Sequence, residues 1–366
     1  MFLDLSQIKK IDWALNIAVL LLVLVGLLSI YSVSNGSGLN IFKRQLIYIA
    51  LGIFLMLLLS TIDYRFFRDN SYLLLIFYIL GIILLVVVLL LGREVRGVSS
   101  WLRIGQWGFE PVELVKLVMI LILAKYFSLR HIEVYRLRHL IISGLYIIVP
   151  LVLILVQPEL GYVLILSLVW LAIVVIAGIR LKHILFLVLM GIIIFSLGWL
   201  FLLQDYQKER VLSFISPYSD PLGGGYNIIQ SIIAVGSGKF FGRGLGRGPQ
   251  SQLHFLPEQH TDFIFATIAE EWGFLGSFFV LFLFGFIFYR LVKISFNSSN
   301  NFARLFSIGF AVMILFQAII NMGMNVGLFP IVGIPLPFVS FGGSSMTMSF
   351  IGLGIIQSIA LRNKLS

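Results

Sequence analysis

The sequence predicts an all-α integral membrane protein of about ten transmembrane helices, with both termini cytoplasmic and one large extracytoplasmic loop between spans 7 and 8. Three observations carry that prediction. Of the 366 residues, 60% are hydrophobic and only 11% charged, against roughly a quarter charged in a soluble domain. About ten stretches reach the ~20 apolar residues that a helix needs to cross the ~30 Å hydrocarbon core. Lys and Arg gather in alternate short loops, as membrane topology requires. Backbone polar groups in lipid must be satisfied within the segment, so the spans are helices. The chain reads as a single polytopic domain, 1–366, with 204–262 as the large loop within it.

The first span, near 13–32, has full length and no small-residue cleavage site, so it reads as a retained helix rather than a signal peptide. Spans follow near 44–62, 72–92, 111–128, 138–156, 160–179, 183–203, 263–290, 303–328 and 342–361. The 157–160 junction leaves room only for a tight hairpin. With the N-terminus inside, inner loops collect Lys9, Lys10, Arg65, Arg68, Lys125, Arg130, Arg180, Lys182, Arg290, Lys293 and Arg362 among others. The outer short loops hold only Lys43, Arg44, Arg93, Arg96 and Arg103. The net charge of +10 follows from this topology, and no basic–aromatic array accompanies it, so nucleic acid is excluded as a partner. Cysteine is absent, which removes disulfides, thiolate metal sites and a Cys nucleophile.

Three regions on the outer side are richer than a membrane anchor needs: "GREVRGVSSWLRIGQWGFEPVELVK" (92–116), the large loop, and "GIPLPFVSFGGSS" (333–345). In the first, Glu113 and Lys116 share a helix face at i and i+3. Ionisable groups inside a span are costly; they form either a packing ion pair or part of a substrate-lining cavity. In the loop, the amphipathic run "NIIQSIIAVGSGKFFGRG" (227–244) is expected to lie along the interface. "GRGLGRG" (242–248) is open to two readings, a phosphate-approaching backbone with two arginines or a solvated turn; no Walker or dinucleotide motif surrounds it.

The stretch "FLPEQHTDFIFATIAEEWG" (255–273) crowds ionisable groups at the mouth of the eighth span. Asp262 is open to three roles there: helix cap, with Thr261 as the rival cap, catalytic base, or metal ligand. A continuous helix from Asp262 to Arg290 would be about 42 Å long, longer than the core, so it either projects or breaks near Gly273. Pro330, Pro335 and Pro337 exclude a plain helix over "GLFPIVGIPLPFVSFGGSSM" (327–346), the third region with its flanks. That region is either a re-entrant, site-lining segment or a tight packing joint made by Gly342, Gly343, Ser344 and Ser345.

These motifs together resemble the shape, elongation, division and sporulation (SEDS) family. The resemblance rests on "GLGRGPQSQLHFLPEQHTDFIFATIAEEWGFLG" (244–276), "WLRIGQWGFEPVELVK" (101–116), "QPELG" (157–161) and "GIPLPFVSFGGSS" (333–345), in the family's order and over essentially the whole chain. The run before "LPEQHTDF" is closer to the family's elongation branch than to its division branch. The resemblance implies a glycosyltransferase that polymerises lipid II into glycan on the outer face of the bacterial inner membrane, releasing undecaprenyl diphosphate. It implies a divalent cation, Mg2+ or Mn2+, at Asp262, and as partners a class B penicillin-binding protein and other elongation-complex proteins. Asp262 matches the family's essential aspartate, and Glu113 and Lys116 match the acid and base of its fourth span. The chain departs from the family's common residues at Ser100, Val112, Glu159 and Phe341, so Arg93, Arg96 or Arg103 would have to replace an arginine at 100.

On this reading Asp262 accepts the proton of the attacking sugar hydroxyl. Lys116, Arg210, Arg243 and Arg247 neutralise the leaving diphosphate, and Glu113 holds Lys116. His260 and Ser340 complete the substrate-binding set. The competing readings are a lipid II flippase, a division-type polymerase of the same family, and a non-catalytic scaffold.

Overall fold

The computed structural model describes residues 11–34, 40–92, 101–104, 107–130, 137–201 and 205–363. Among them, ten helices of 18 residues or more fall on the ten expected spans. They are α1 (Trp13–Ser34), α2 (Asn40–Thr61), α4 (Ser71–Leu91), α5 (Pro111–Ser128), α6 (Leu137–Val156), α7 (Leu160–Ala177), α8 (Leu181–Phe201), α12 (Ile264–Phe296), α13 (Asn301–Asn325) and α14 (Gly343–Asn363). Short helices intervene: α3 (Arg65–Asp69), α9 (Asp205–Ile215), α10 (Tyr226–Ser237) and α11 (Pro249–Gln252). Eight of the ten are long and apolar enough to cross a bilayer; the others are α8 and α5, which carries Glu113, Lys116 and Lys125. The expected hairpin at 157–160 forms, α6 ending at Val156 and α7 starting at Leu160.

Burial sorts the helices. The apolar windows of α13 and α14 are 83% buried, whereas that of α4 is 22% buried and turns its leucines and isoleucines outward, as a lipid-facing helix does. Close approach of α2 and α14 runs through glycine: a Cβ on Gly52 would sit 2.4 Å from the Phe350 ring, and one on Gly354 2.8 Å from Met56 O. Phe302, Phe306 and Phe310 stack at one-turn spacing along α13. At the end of the bundle read as inner, Arg290 pairs with Asp12 at 2.6 Å and Gln357 Nε2 donates to Asn16 Oδ1 at 2.8 Å, tying α12, α1 and α14.

The length conflict in α12 is resolved by a break at Gly273, with φ 67° and ψ −159°. The freed backbone groups are satisfied by a neighbouring segment threaded through the gap. Phe274 N donates to Lys239 O at 2.9 Å and Leu275 N to Phe240 O at 3.2 Å, while Arg243 N and Gly244 N donate to Glu270 O and Glu271 O at 3.0 and 2.9 Å. Only glycine fits the crossing, since a Cβ on Gly242 would lie 2.1 Å from Glu271 O. The Gly-rich run thus spends N–H groups on protein acceptors, main-chain carbonyls and the Glu271 carboxylate, which neither reading from sequence foresaw.

Glu270 and Glu271 hold the rest of that loop. Glu270 accepts from Gln250 N and Ser251 N at 2.9 and 3.0 Å, at the N-terminus of α11. Glu271 accepts from the Ser32 hydroxyl of α1, from Gly246 N at 3.0 Å and from Gln252 Nε2 at 3.3 Å.

Two features were not foreseen. Residues Leu102–Ile104 and Trp107–Phe109 pair as a small antiparallel hairpin, β1 and β2, with Arg103 opposite Gly108. The amphipathic run of α10 packs on α12 and α13, burying Ile228, Ser231 and Ala234. Ser231 Oγ donates to Asn325 O at 2.7 Å, so the helix's polar side also finds protein.

Candidate active site

The residues entering α12 are held by their main chain. His260 O accepts from Phe341 N at 2.8 Å, and Thr261 O from Ser340 Oγ at 2.6 Å. Asp262 O accepts from Asn321 Nδ2 at 3.1 Å and from Asn325 Nδ2 at 3.0 Å. Three successive carbonyls are therefore fixed by the third region and by α13. The capping question is also answered: the N-cap position is Phe263, and Ala266 N donates to Asn325 Oδ1 at 3.0 Å. Thr261 Oγ1 faces Glu258 instead, 3.2 Å from its carboxylate.

A cavity of about 610 Å³ lies against this segment. All three outer regions line it: Trp101, Gly108 and Glu110 from the first, Arg210, Asn227, Glu258, His260 and Asp262 from the loop, and Val332, Gly333 and Phe341 from the third. Gly333 has φ +65°, and a Cβ there would stand 3.8 Å from Asp262 Oδ2. The third region is thus both site-lining and a packing joint, because a Cβ on Gly26 of α1 would lie 2.4 Å from Val339 O. Among the described residues, the cations on the cavity are Arg210 and Arg44. Burial pushes the His260 imidazole below its usual range, and the Glu258 charge opposes that. The ring stacks edge-on against Phe341, centroids 5.7 Å apart.

The cell cycle protein family that groups FtsW, RodA and SpoVE matches residues 12–365. The chain belongs to this family. It is 36% identical over 351 residues to the peptidoglycan glycosyltransferase MrdB of Escherichia coli (strain K12), covering 94% of each chain. It is 35% identical over 359 residues to stage V sporulation protein E of Bacillus subtilis (strain 168), covering 95% of this chain and 96% of that one. A chain in a solved peptidoglycan synthase complex, described as coordinating polymerization and crosslinking, matches with a TM-score of 0.82 at 32% identity. That match covers 97% of this chain and 99% of the other. The crystal structure of the Thermus thermophilus rod shape determining protein RodA matches with a TM-score of 0.72 at 29% identity, covering 96% of both chains.

Within this FtsW–RodA–SpoVE fold the expected site residues separate into groups. Asp262, His260 and Arg210 come together on the cavity. Glu113 and Lys116 form an ion pair at 2.8 Å with side chains 2% and 1% exposed, outside the cavity lining. Tyr162 stands between, its hydroxyl donating to Glu113 Oε1 at 3.2 Å and its ring 4.9 Å from Lys116 Nζ. Direct contact of Lys116 with a diphosphate is therefore not what this geometry provides; the pair braces the wall that carries Tyr162.

Arg243 and Arg247 are exposed and away from the cavity, Arg243 Nε donating to Ser237 Oγ at 3.1 Å. Ser340 is buried, and its hydroxyl also accepts from Leu336 N at 2.8 Å, so it latches backbone rather than facing the cavity. Arg93, Arg96 and the side chain of Arg103 lie outside the described residues.

The sequence reading passed over Arg44, which it counted only for topology, and the Asn321–Asn325 pair. Two amides one turn apart in an apolar span are a signal, since polar groups at membrane depth need partners. For the expected divalent cation, no group of three or more His, Asp or Glu among the described residues could hold a metal by itself. An ion of the Mg2+ type takes one or two carboxylates and completes its shell with water and substrate phosphate. Asp262 and Glu258 are the carboxylates the cavity offers beside His260.

Proposed function

We propose that this chain is a peptidoglycan glycosyltransferase that polymerises lipid II during cell elongation, with Asp262 as its base. The observation that carries the proposal is a carboxylate, Asp262, set on a cavity with Arg44 and Arg210 and backed by three fixed carbonyls. The acceptor sugar hydroxyl attacks the anomeric carbon of the lipid-linked donor. The new C–O bond forms as the bond to the diphosphate breaks, the hydroxyl proton passes to Asp262, and the diphosphate leaves with its undecaprenyl chain. Arg44 and Arg210 stabilise the charge that develops on the leaving group. A divalent cation held by Asp262, with Glu258 nearby, supplies further positive charge to the diphosphate when bound. Burying Glu113 and Lys116 as a pair keeps Tyr162 and the head of α5 in register with the cavity.

The Lys and Arg distribution supports an extracytoplasmic active site, where lipid II is consumed. Similarity to a chain of a complex that coordinates polymerization with crosslinking supports a class B penicillin-binding protein as the membrane partner. The test is lipid II polymerisation by the purified chain with its partner, read as glycan length on a gel. Asp262→Asn is expected to lose at least ~10²-fold in rate, the scale of a general base. Chelator is expected to stop the parent, and Mg2+ or Mn2+ to restore it. Parent-like polymerisation by Asp262→Asn ends the assignment. Movement of intact lipid II across vesicles without lengthening replaces it with a flippase.

A further inference from the structure

Glu110 was not among the residues expected to act, yet it is the acid that the first region delivers to the cavity. It follows β2 directly and occupies the N-cap of α5, with Pro111 next, so its extended backbone (φ −110°, ψ 102°) is set by the strand and the helix together. Its N–H donates to Ser344 Oγ of α14 at 2.9 Å. The residue is only 6% exposed, and what it exposes faces the cavity that holds Asp262.

Two further acids crowd it. Glu113 lies one turn along α5, and Glu159 is the N-cap of α7 on the same cavity wall. Among the described residues, the cation inside this cluster is Lys116, already paired with Glu113 at 2.8 Å. A nearly dry wall and two acids close by favour a proton on Glu110, since Lys116 is already taken by Glu113. Burial pushes the Glu110 carboxyl well up, the Glu159 and Glu113 charges add to that, and the Tyr162 hydroxyl and Lys116 oppose it. The α5 dipole also favours the ionised form but is the weaker effect beside desolvation. The same cavity is lined by Arg44, Arg210, His260 and Asp262.

We propose that Glu110 is a neutral acid that donates a hydrogen bond to the diphosphate of the lipid-linked substrate. The proposal rests on the polymerase reading. A charged carboxylate at this place would repel a diphosphate drawn in by Arg44 and Arg210; a neutral one adds a donor and no charge. The acid is not consumed, and no bond to it forms or breaks.

The experiment compares the parent with Glu110→Gln and Glu110→Ala in the full chain with its partner. Lipid II binding and polymerisation are followed over a rising pH series, because a raised carboxyl ionises only as pH rises, with thermal melting as a control for folding. Glutamine donates as the neutral acid does, so Glu110→Gln is expected to keep parent-like binding and to hold its activity at high pH, where the parent declines as Glu110 ionises. Glu110→Ala is expected to bind lipid II about tenfold more weakly or worse, the value of one hydrogen bond to a charged group. If Glu110→Gln binds as poorly as Glu110→Ala while melting like the parent, the neutral-donor role is wrong. An alkaline decline shared equally by parent and Glu110→Gln overturns it too. Failure of the parent itself to lengthen glycan counts against the polymerase reading, and the binding comparison still judges Glu110.

Discussion

Asn325 does two jobs with one amide. Its Oδ1 accepts from Ala266 N at 3.0 Å and its Nδ2 donates to Asp262 O at 3.0 Å, so a residue from α13 both caps α12 and holds the acid's main chain. Asp262 can then serve the cavity, which a local cap would prevent. Removing both contacts with Asn325→Ala is expected to cost about 1–3 kcal/mol of stability and to slow polymerisation strongly. Asn325→Asp keeps the acceptor and loses the donor. It sets a buried oxygen against the Asp262 and Asn321 carbonyls in place of the N–H donor, so it is expected to melt no better than Asn325→Ala and to polymerise slowly, which melting and rate measurements check. At this scale the sequence was partly legible. Asp262 and His260 stood out because ionisable groups at a span mouth are costly, and Arg210 was named with the other loop arginines as a partner for the diphosphate. Lys116 and Ser340 stood out equally, yet they face protein, because sequence shows that a polar group needs a partner without showing which partner it gets.

The break in α12 is the element on which the site is built. A helix of 33 residues would overrun the hydrocarbon core, at about 50 Å. The turn at Gly273 divides it, and residues 239–244 take up the orphaned N–H and C=O groups. Gly273→Ala meets both a left-handed φ and a Cβ 2.2 Å from Gly242 N, so a loss of about 3 kcal/mol or more is expected. Gly285, in the continuous half of α12, has open space for 4 Å around the place a Cβ would take, and Gly285→Ala is expected to be neutral or stabilising by up to about 1 kcal/mol. Thermal melting of the two variants in detergent separates conformational need from mere loss of glycine. The length argument foresaw a break near Gly273. The identity of the segment that fills it was not legible, because the pairing joins residues about 30 positions apart through backbone alone.

The whole molecule makes sidedness directly testable, because the natural chain has no cysteine. Leu222, 88% exposed beyond α9, is expected outside, and exposed Asn297, between α12 and α13, inside. Single variants Leu222→Cys and Asn297→Cys are expected to react with a membrane-impermeant maleimide before and only after permeabilisation, respectively; the reverse order inverts the topology. The span pattern, the tight hairpin after α6 and the gathering of three outer regions were all legible, since lipid imposes length, apolarity and loop charge on each segment separately. By itself, then, the sequence determined a multi-pass helical protein, its family and the acid at the mouth of the eighth span. Only the tertiary structure decided which polar groups face the cavity and which brace it: Glu110 and Arg44 at the surface, Glu113 and Lys116 behind Tyr162, Glu270 and Glu271 inside the loop they hold. The physical reason is that burial and pairing depend on neighbours from distant helices, and no local pattern records which neighbour arrives.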